Sequence, residues 1–390
     1  VGQDPRYEVL EEISVDSEFS GHVMLQAHGL IVPLNDGTSA YFNYFWLRDN
    51  CPSSFDSQTR ERVFDIFAHA DEPVPETAKI TSDALEIVWR NDGHVTRHAL
   101  KFLAQYAHAA KRTDPADLPR RLWYADHYAA IPRFPQPALL ADSALVADWI
   151  KTLLVEGVAI VTDMPDSDEA LTQTARLTGH IRPTFFGEYF DVRTHIAPTN
   201  LAYTARALEL HTDTPAEDVA PGVQFLHCRA NSVLGGDSLF LDGAAAATDL
   251  RAERPEDFAL LSQTPIPYYC EHDDYDMRSR QKVIELDEHG EVCGVTISQH
   301  MADIFDLPQD FLDTYYPAFV RFGRMLQSPK YAMRFRLEAG ECIVFDNHRI
   351  VHGRAAYTAE SGERYLRGCY TDRGEMRSRY RALTTPGRFK

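Results

Sequence analysis

The chain has 390 residues, 44% of them apolar and 25% charged, which is ample for a large buried core. Lys and Arg number 39 against 58 Asp and Glu, and the formal net charge of −19 repels nucleic-acid phosphates and anionic lipid surfaces. No apolar run reaches the ~18–20 residues that span a bilayer, so neither nucleic acid nor membrane is expected as a partner.

Residues 1–6 carry no basic segment leading into an apolar stretch, so no secretory signal is expected there. Residues 29–33 and 40–46 flank Asn35-Asp36-Gly37, and residues 84–89 and 94–98 flank Asn91-Asp92-Gly93. Both are hairpin patterns, and they predict a small β domain over residues 1–105. Five prolines fall between residues 113 and 137 with Tyr and Trp among them, which suits an extended connection, placed at 106–141. From residue 142 the pattern changes: 144–156 has helical spacing and 158–161 is a buried-strand run. Strands are expected at 222–228, 238–241, 282–286, 341–345 and 364–370, with helices at 244–251, 255–264 and 310–327. Many short strands with few helices predict a mainly β fold, a sandwich or jelly-roll core with helices packed outside, across 142–390. The six cysteines (51, 228, 270, 293, 342 and 369) form no CxxC pair, which argues against a disulfide framework or a zinc knuckle and points to a reducing cytoplasm.

The chemistry gathers around His211-Thr212-Asp213 and a distant His352. Two imidazoles and a carboxylate make a facial triad for Fe(II), leaving three positions open. Residues i and i+2 of an extended segment project to the same side, so HxD supplies two ligands at once. An isolated HxD is common by chance among 16 His and 58 acidic residues, so the surroundings decide its weight. Arg364, 12 residues past His352, offers a bidentate fork for the distal carboxylate of 2-oxoglutarate. Ser238, 25 residues past Asp213, offers a hydroxyl to the same carboxylate.

Pro221-Gly222-Val223-Gln224-Phe225-Leu226-His227-Cys228, Gly235-Gly236-Asp237-Ser238, Phe345-Asp346-Asn347, His352-Gly353-Arg354 and Gly368-Cys369-Tyr370 accompany the triad. Together with Trp46-Leu47-Arg48-Asp49-Asn50-Cys51-Pro52, the chain from about residue 20 to about 385 resembles the γ-butyrobetaine hydroxylase branch of the 2-oxoglutarate/Fe(II) oxygenases. The resemblance implies a double-stranded β-helix catalytic domain, a small N-terminal β domain and a homodimer. It implies that His211, Asp213 and His352 bind Fe(II), and that 2-oxoglutarate, the cosubstrate used with O2, is bound by Arg364. Relatives also carry an N-terminal zinc on several cysteines and a later His. Here only Cys51 remains, with Asp56 and His94 as further candidates, a poor set for a structural zinc, and none is expected.

The same resemblance implies a trimethylammonium substrate held in an aromatic cage by cation–π attraction. Phe186, Tyr189, Tyr203 and Tyr370 fall at its positions, with Asn200 nearby. At the anionic end Ser298-Gln299-His300 stands where relatives carry an Asn, and Gln299 with His300 suggests a phosphonate, 2-(trimethylammonio)ethylphosphonate, ahead of γ-butyrobetaine. A cupin-like metal-dependent hydrolase and a betaine-binding protein remain as readings of other classes.

Overall fold

The computed structural model describes residues 23–68, 71–109, 114–193, 204–272 and 274–385. Contacts divide the chain into two compact units, one ending at Asp114 and the other beginning at Pro115.

In the first unit β1 (Met24–Gln26), β2 (Gly29–Pro33) and β3 (Ser39–Asn43) form one antiparallel sheet. A second is built from β4 (Pro75–Ile80), β5 (Ala84–Trp89) and β6 (Val95–Ala99). Leu30, Val32, Phe42, Leu85, Ile87 and Trp89 point inward at alternate positions and share one core. Strand β3 ends earlier than its apolar run, because the Asn43 side chain accepts from the Trp46 N–H and caps α1 (Tyr44–Asp49). Buried Arg48 on α1 reaches Asp92 Oδ2 at 2.9 Å, joining the Trp46–Asn50 motif to the turn before β6. Helix α2 (Leu100–Tyr106) completes the unit.

Beyond α1, Cys51 Sγ lies 3.1 Å from Ser53 Oγ and 3.3 Å from His94 Nε2, and Ser53 Oγ lies 3.1 Å from the same nitrogen. Asp56 turns its carboxylate away, accepting from the Gln58 and Thr59 N–H groups of its own loop. One thiol, one imidazole and a hydroxyl already in mutual contact do not match the four Cys, His or carboxylate ligands of a structural zinc.

The second unit opens with β7 (Arg133–Pro135), α3 (Gln136–Ala141), α4 (Ser143–Glu156), β8 (Val158–Thr162) and α5 (Asp168–Arg176). It continues through β9 (Phe190–Val192), β10 (Leu208–His211), β11 (Val223–Asn231), β12 (Leu234–Gly235) and β13 (Ser238–Asp242). Next come α6 (Gly243–Glu253), α7 (Pro255–Gln263) and the strands β14 (Pro265–His272), β15 (Tyr275–Lys282), β16 (Ile284–Leu286) and β17 (Val292–Val295). The last stretch holds α8 (Gln309–Leu326), β18 (Met333–Phe335), β19 (Cys342–Asp346), β20 (Ile350–Arg354), β21 (Tyr357–Thr358), β22 (Arg364–Thr371) and α9 (Arg373–Thr384).

Six strands in the order β7-β8-β19-β11-β22-β9 make a major sheet, and β10-β20-β13-β18 a minor one. The major sheet is apolar on both faces because each has a partner. On β11, Val223 and Phe225 pack with Trp149, Ile150 and Leu153 of α4, Leu171 of α5 and Met376 of α9. The alternate residues Leu226 and Cys228 pack with Phe240, Met333 and Phe335 of the minor sheet. This is a double-stranded β-helix with helices outside. Each Phe or Leu so enclosed contributes roughly 1.5–3 kcal/mol relative to exposure. Helix α4 buries Val146, Trp149, Ile150 and Leu153, spaced for one face, and begins where the Asp142 side chain accepts from the Ala144 N–H. It stops at Gly157, whose φ of 77° lets the chain turn directly into β8.

From Pro115 on, the proline-rich stretch expected as an extended connection falls within this unit. Trp123 and Ile131 are buried with Val158 and Ile160, and β7 pairs in parallel with β8. The aromatic and aliphatic residues between the prolines supply the anchors. Among the described residues no helix is long and apolar enough to cross a membrane.

Candidate active site

Strand β20 runs between β10 and β13, and His352 on it pairs directly with His211 on one side and Phe240 on the other. Cross-strand partners face the same way, so the minor sheet sets the two imidazoles side by side, ring centroids 4.3 Å apart. The Nδ1 of His211 meets the Glu209 carbonyl at 2.7 Å, which leaves Nε2 as the outward nitrogen. That nitrogen is 3.0 Å from Asp213 Oδ1, and His352 Nε2 is 3.6 Å from the same oxygen. The three ligand atoms lie within 4.8 Å of one another. Phe345 packs against the His352 ring at 4.8 Å and fixes its tilt.

The turn after His211 is held from two sides. Thr212 Oγ1 accepts from the Ile297 N–H, while Asn347 Oδ1 accepts from the Asp213 N–H and Asn347 Nδ2 donates to the Asp213 carbonyl. Thr214 then adopts a φ of 50°, an uncommon and strained value for a β-branched residue that re-aims the chain just past the carboxylate. Two residues after Asn347, buried Arg349 makes a bidentate pair with Asp242, which also caps α6. The Asp346–Arg349 turn is thereby bolted to the end of β13.

Burial pushes the Asp213 carboxyl up, but His352, His211 and the Tyr370 hydroxyl overcome it and hold the group well below the usual carboxylate range. Burial, then His211 beside it, lowers His352 to about 3. An ionised carboxylate beside a neutral imidazole is the protonation state a metal requires. The ring of His300 meets that of His211 edge-on at 4.9 Å.

A cavity of about 830 Å3, counting its open mouth, extends from this triad. At one end stand Arg364, Arg354 and Ser238, brought together because Ser238 pairs with Arg354 across β13 and β20. Arg364 is buried, and its Nε and Nη1 meet no acceptor. Burial, then Arg354 nearby, lowers its pKa to about 10, so it keeps its charge at neutral pH. A buried cation short of acceptors is a costly arrangement that an anion would relieve.

Residues 117–370 match the family described as "Taurine catabolism dioxygenase TauD, TfdA family", and residues 23–104 match "Gamma-butyrobetaine hydroxylase-like, N-terminal". The chain belongs to this dioxygenase family. It is 33% identical to a γ-butyrobetaine dioxygenase of Pseudomonas sp. (strain AK-1) over 92% of this chain and 94% of that one. It is 29% identical to the human γ-butyrobetaine dioxygenase, covering 92% and 95%, and 29% identical to a rat mitochondrial trimethyllysine dioxygenase, covering 88% and 82%. The chain is therefore a 2-oxoglutarate-dependent dioxygenase that uses Fe(II), with a small-molecule substrate.

The residues present fit both groups. His211, Asp213 and His352 would hold the iron, and Arg364 with Ser238 would take the distal carboxylate of 2-oxoglutarate. When bound, the pair supplies the oxidising power for C–H hydroxylation, coupled to decarboxylation of the cosubstrate. The dioxygenase itself contributes placement, exclusion of water and the fixed charges just described.

The expected substrate residues divide. Phe186 and Tyr370 line the cavity. Tyr189 does not, because alternation along β9 sends Phe190 and Val192 inward and turns Tyr189 to the outer face. There Tyr189 shares a hydrogen bond with Thr172 at 2.8 Å and lies under Arg367. Phe190 takes its place, stacked on Tyr370 at 5.1 Å. Gln299 is exposed and outside the cavity lining, whereas His300 forms part of it. Asn200 and Tyr203 lie outside the described residues. Thr214 and Gln224, both buried, also line the cavity, and Gln224 was signalled only as part of the Pro221–Cys228 motif.

Proposed function

We propose that this dioxygenase hydroxylates a zwitterion with a trimethylammonium group at one end, and that the preferred substrate is 2-(trimethylammonio)ethylphosphonate, attacked at the carbon next to phosphorus. What supports this is the make-up of the cavity lining around the triad, which combines aromatic rings with polar donors. Phe186, Phe190 and Tyr370 line the cavity as a connected set of rings, with centroids 5.8 Å and 5.1 Å apart in turn, and Tyr370 is bonded to Asp213. They suit a cation that has no N–H to donate. His300 and Thr214 lie on the wall beside His211 and Asp213 and offer an imidazole and a hydroxyl to an anion. A tetrahedral phosphonate can take more such donors than a planar carboxylate. The second reading is γ-butyrobetaine, hydroxylated to carnitine, and the names of the Pseudomonas and human relatives favour it. Specificity constants for the two compounds under the same conditions decide: a ten-fold preference for γ-butyrobetaine, about 1.4 kcal/mol at the transition state, would overturn the phosphonate reading.

The same proposal places the protein in the cytoplasm as a homodimer. Six unpaired cysteines suit a reducing compartment, and sedimentation at micromolar concentration tests the dimer.

A further inference from the structure

The hydroxyl of Tyr370 donates to Asp213 Oδ2 at 2.6 Å. The other oxygen of the same carboxylate, Oδ1, is the one that faces His211 Nε2 at 3.0 Å and His352 Nε2 at 3.6 Å. The two oxygens of Asp213 therefore have separate tasks. We propose that Tyr370 is a positioning residue for the metal: its hydroxyl holds Oδ2 away, so that Asp213 binds through Oδ1 alone and a coordination position stays open for the cosubstrate or O2.

Three observations support this. At 2.6 Å the bond lies in the normal range of a hydroxyl on a charged carboxylate, a class roughly twice as strong as neutral pairs. The Tyr370 ring cannot swing freely, since it stacks on Phe190 at 5.1 Å and Tyr370 sits directly across from Gln224 on β11. Phe190 in turn lies against Gly368, where an added Cβ would fall 2.3 Å from the ring, so only glycine lets the ring settle there. On the opposite side the Asp213 backbone is gripped by Asn347 through two hydrogen bonds. Main chain and side chain of the ligand are thus fixed independently, and Tyr370 supplies the second fixture. Groups that orient a metal ligand in this way are commonly worth 10–100-fold in metal affinity.

The inference rests on Asp213 being a metal ligand, and the experiment separates the two. Apoprotein is titrated anaerobically with Mn(II), with and without 2-oxoglutarate, for the parent chain, Asp213→Ala and Tyr370→Phe. Asp213→Ala should lose binding; if it binds as the parent does, the ligand assignment fails. Tyr370→Phe keeps the ring and should weaken Mn(II) about ten-fold, both with and without 2-oxoglutarate. Parent-like Mn(II) affinity in Tyr370→Phe, with Asp213→Ala inactive in binding, overturns this inference alone. Should the Phe variant not fold, infrared difference spectra of the parent carrying 13C-labelled Asp give the answer directly. Metal addition should produce the wide carboxylate splitting of one-oxygen ligation, and a narrow, two-oxygen splitting would overturn the proposal.

Discussion

Asp213 is half-buried, and it is held in its charged form by His352, His211 and Tyr370 around it, which makes the triad sensitive to single substitutions. Replacing His211, Asp213 or His352 by Ala should abolish Mn(II) binding and all 2-oxoglutarate turnover; near-parent turnover in any one would remove that residue from the ligand set. Arg364→Ala should raise the half-saturating 2-oxoglutarate concentration at least ten-fold, because a buried carboxylate would lose its charged partner. An unchanged value would move the role to Arg354, which stands beside it; Arg367 is already engaged with Asp191 at 2.7 Å. In the cage, Phe190→Leu should raise the KM for the ammonium substrate several-fold while Tyr189→Phe leaves it unchanged, and the reverse pattern in initial rates would restore Tyr189. The triad could be read in the sequence because Arg364, Ser238 and the surrounding motifs gave an otherwise common HxD its weight, and the structure brings His211, Asp213 and His352 together. Of the expected cage residues that the structure describes, Phe186 and Tyr370 line the cavity and Tyr189 does not: a one-residue slip along a strand moves a side chain to the opposite face, and Tyr189-Phe190 offers an aromatic ring in either register.

At the level of elements, strands with an apolar run or a turn signal were legible, including β2, β5, β8, β11 and β22. The β14–β15 hairpin was not, since Arg278, Arg280 and Lys282 alternate with mostly polar neighbours and β15 is largely exposed. Helix α1 was hidden inside a strand-like aromatic run until the Asn43 cap is seen. Strand β11 also carries His227, fully buried, with neither ring nitrogen hydrogen-bonded. Burial, then Arg229, lowers its pKa to about 4 against the pull of Asp166 and Asp168. The unfolded chain takes up this proton near pH 6.5 and the folded chain only near 4, so stability is whole above pH 6.5 and is lost as pH falls toward 4. The loss from this one group is on the order of 2–3 kcal/mol. Denaturant titrations at pH 7.5 and 5 should show a smaller drop for His227→Leu than for the parent; equal drops would place the sensitivity elsewhere.

For the whole molecule, two compact units meet one chemistry each: the second holds the triad and cavity, and the first holds the Cys51–Ser53–His94 contact. The first should keep its melting behaviour in a strong zinc chelator, and metal analysis should find no stoichiometric zinc; a tightly held zinc would show that Asp56 turns toward Cys51 and His94. The pairing of His211 with His352 bears on more than ligand geometry. These residues are 352 − 211 = 141 positions apart, and β10 is an edge strand of the minor sheet with an irregular register against β20. A metal bound to both is a cross-link closing a long loop, and a covalent bridge of comparable span is worth about 4–5 kcal/mol through the denatured chain alone. Without metal, β10 should be the first strand of the barrel to exchange its amide hydrogens; saturating Mn(II) should slow that exchange and raise the melting temperature, so that the edge of the sheet is sewn shut by the ion it was built to carry.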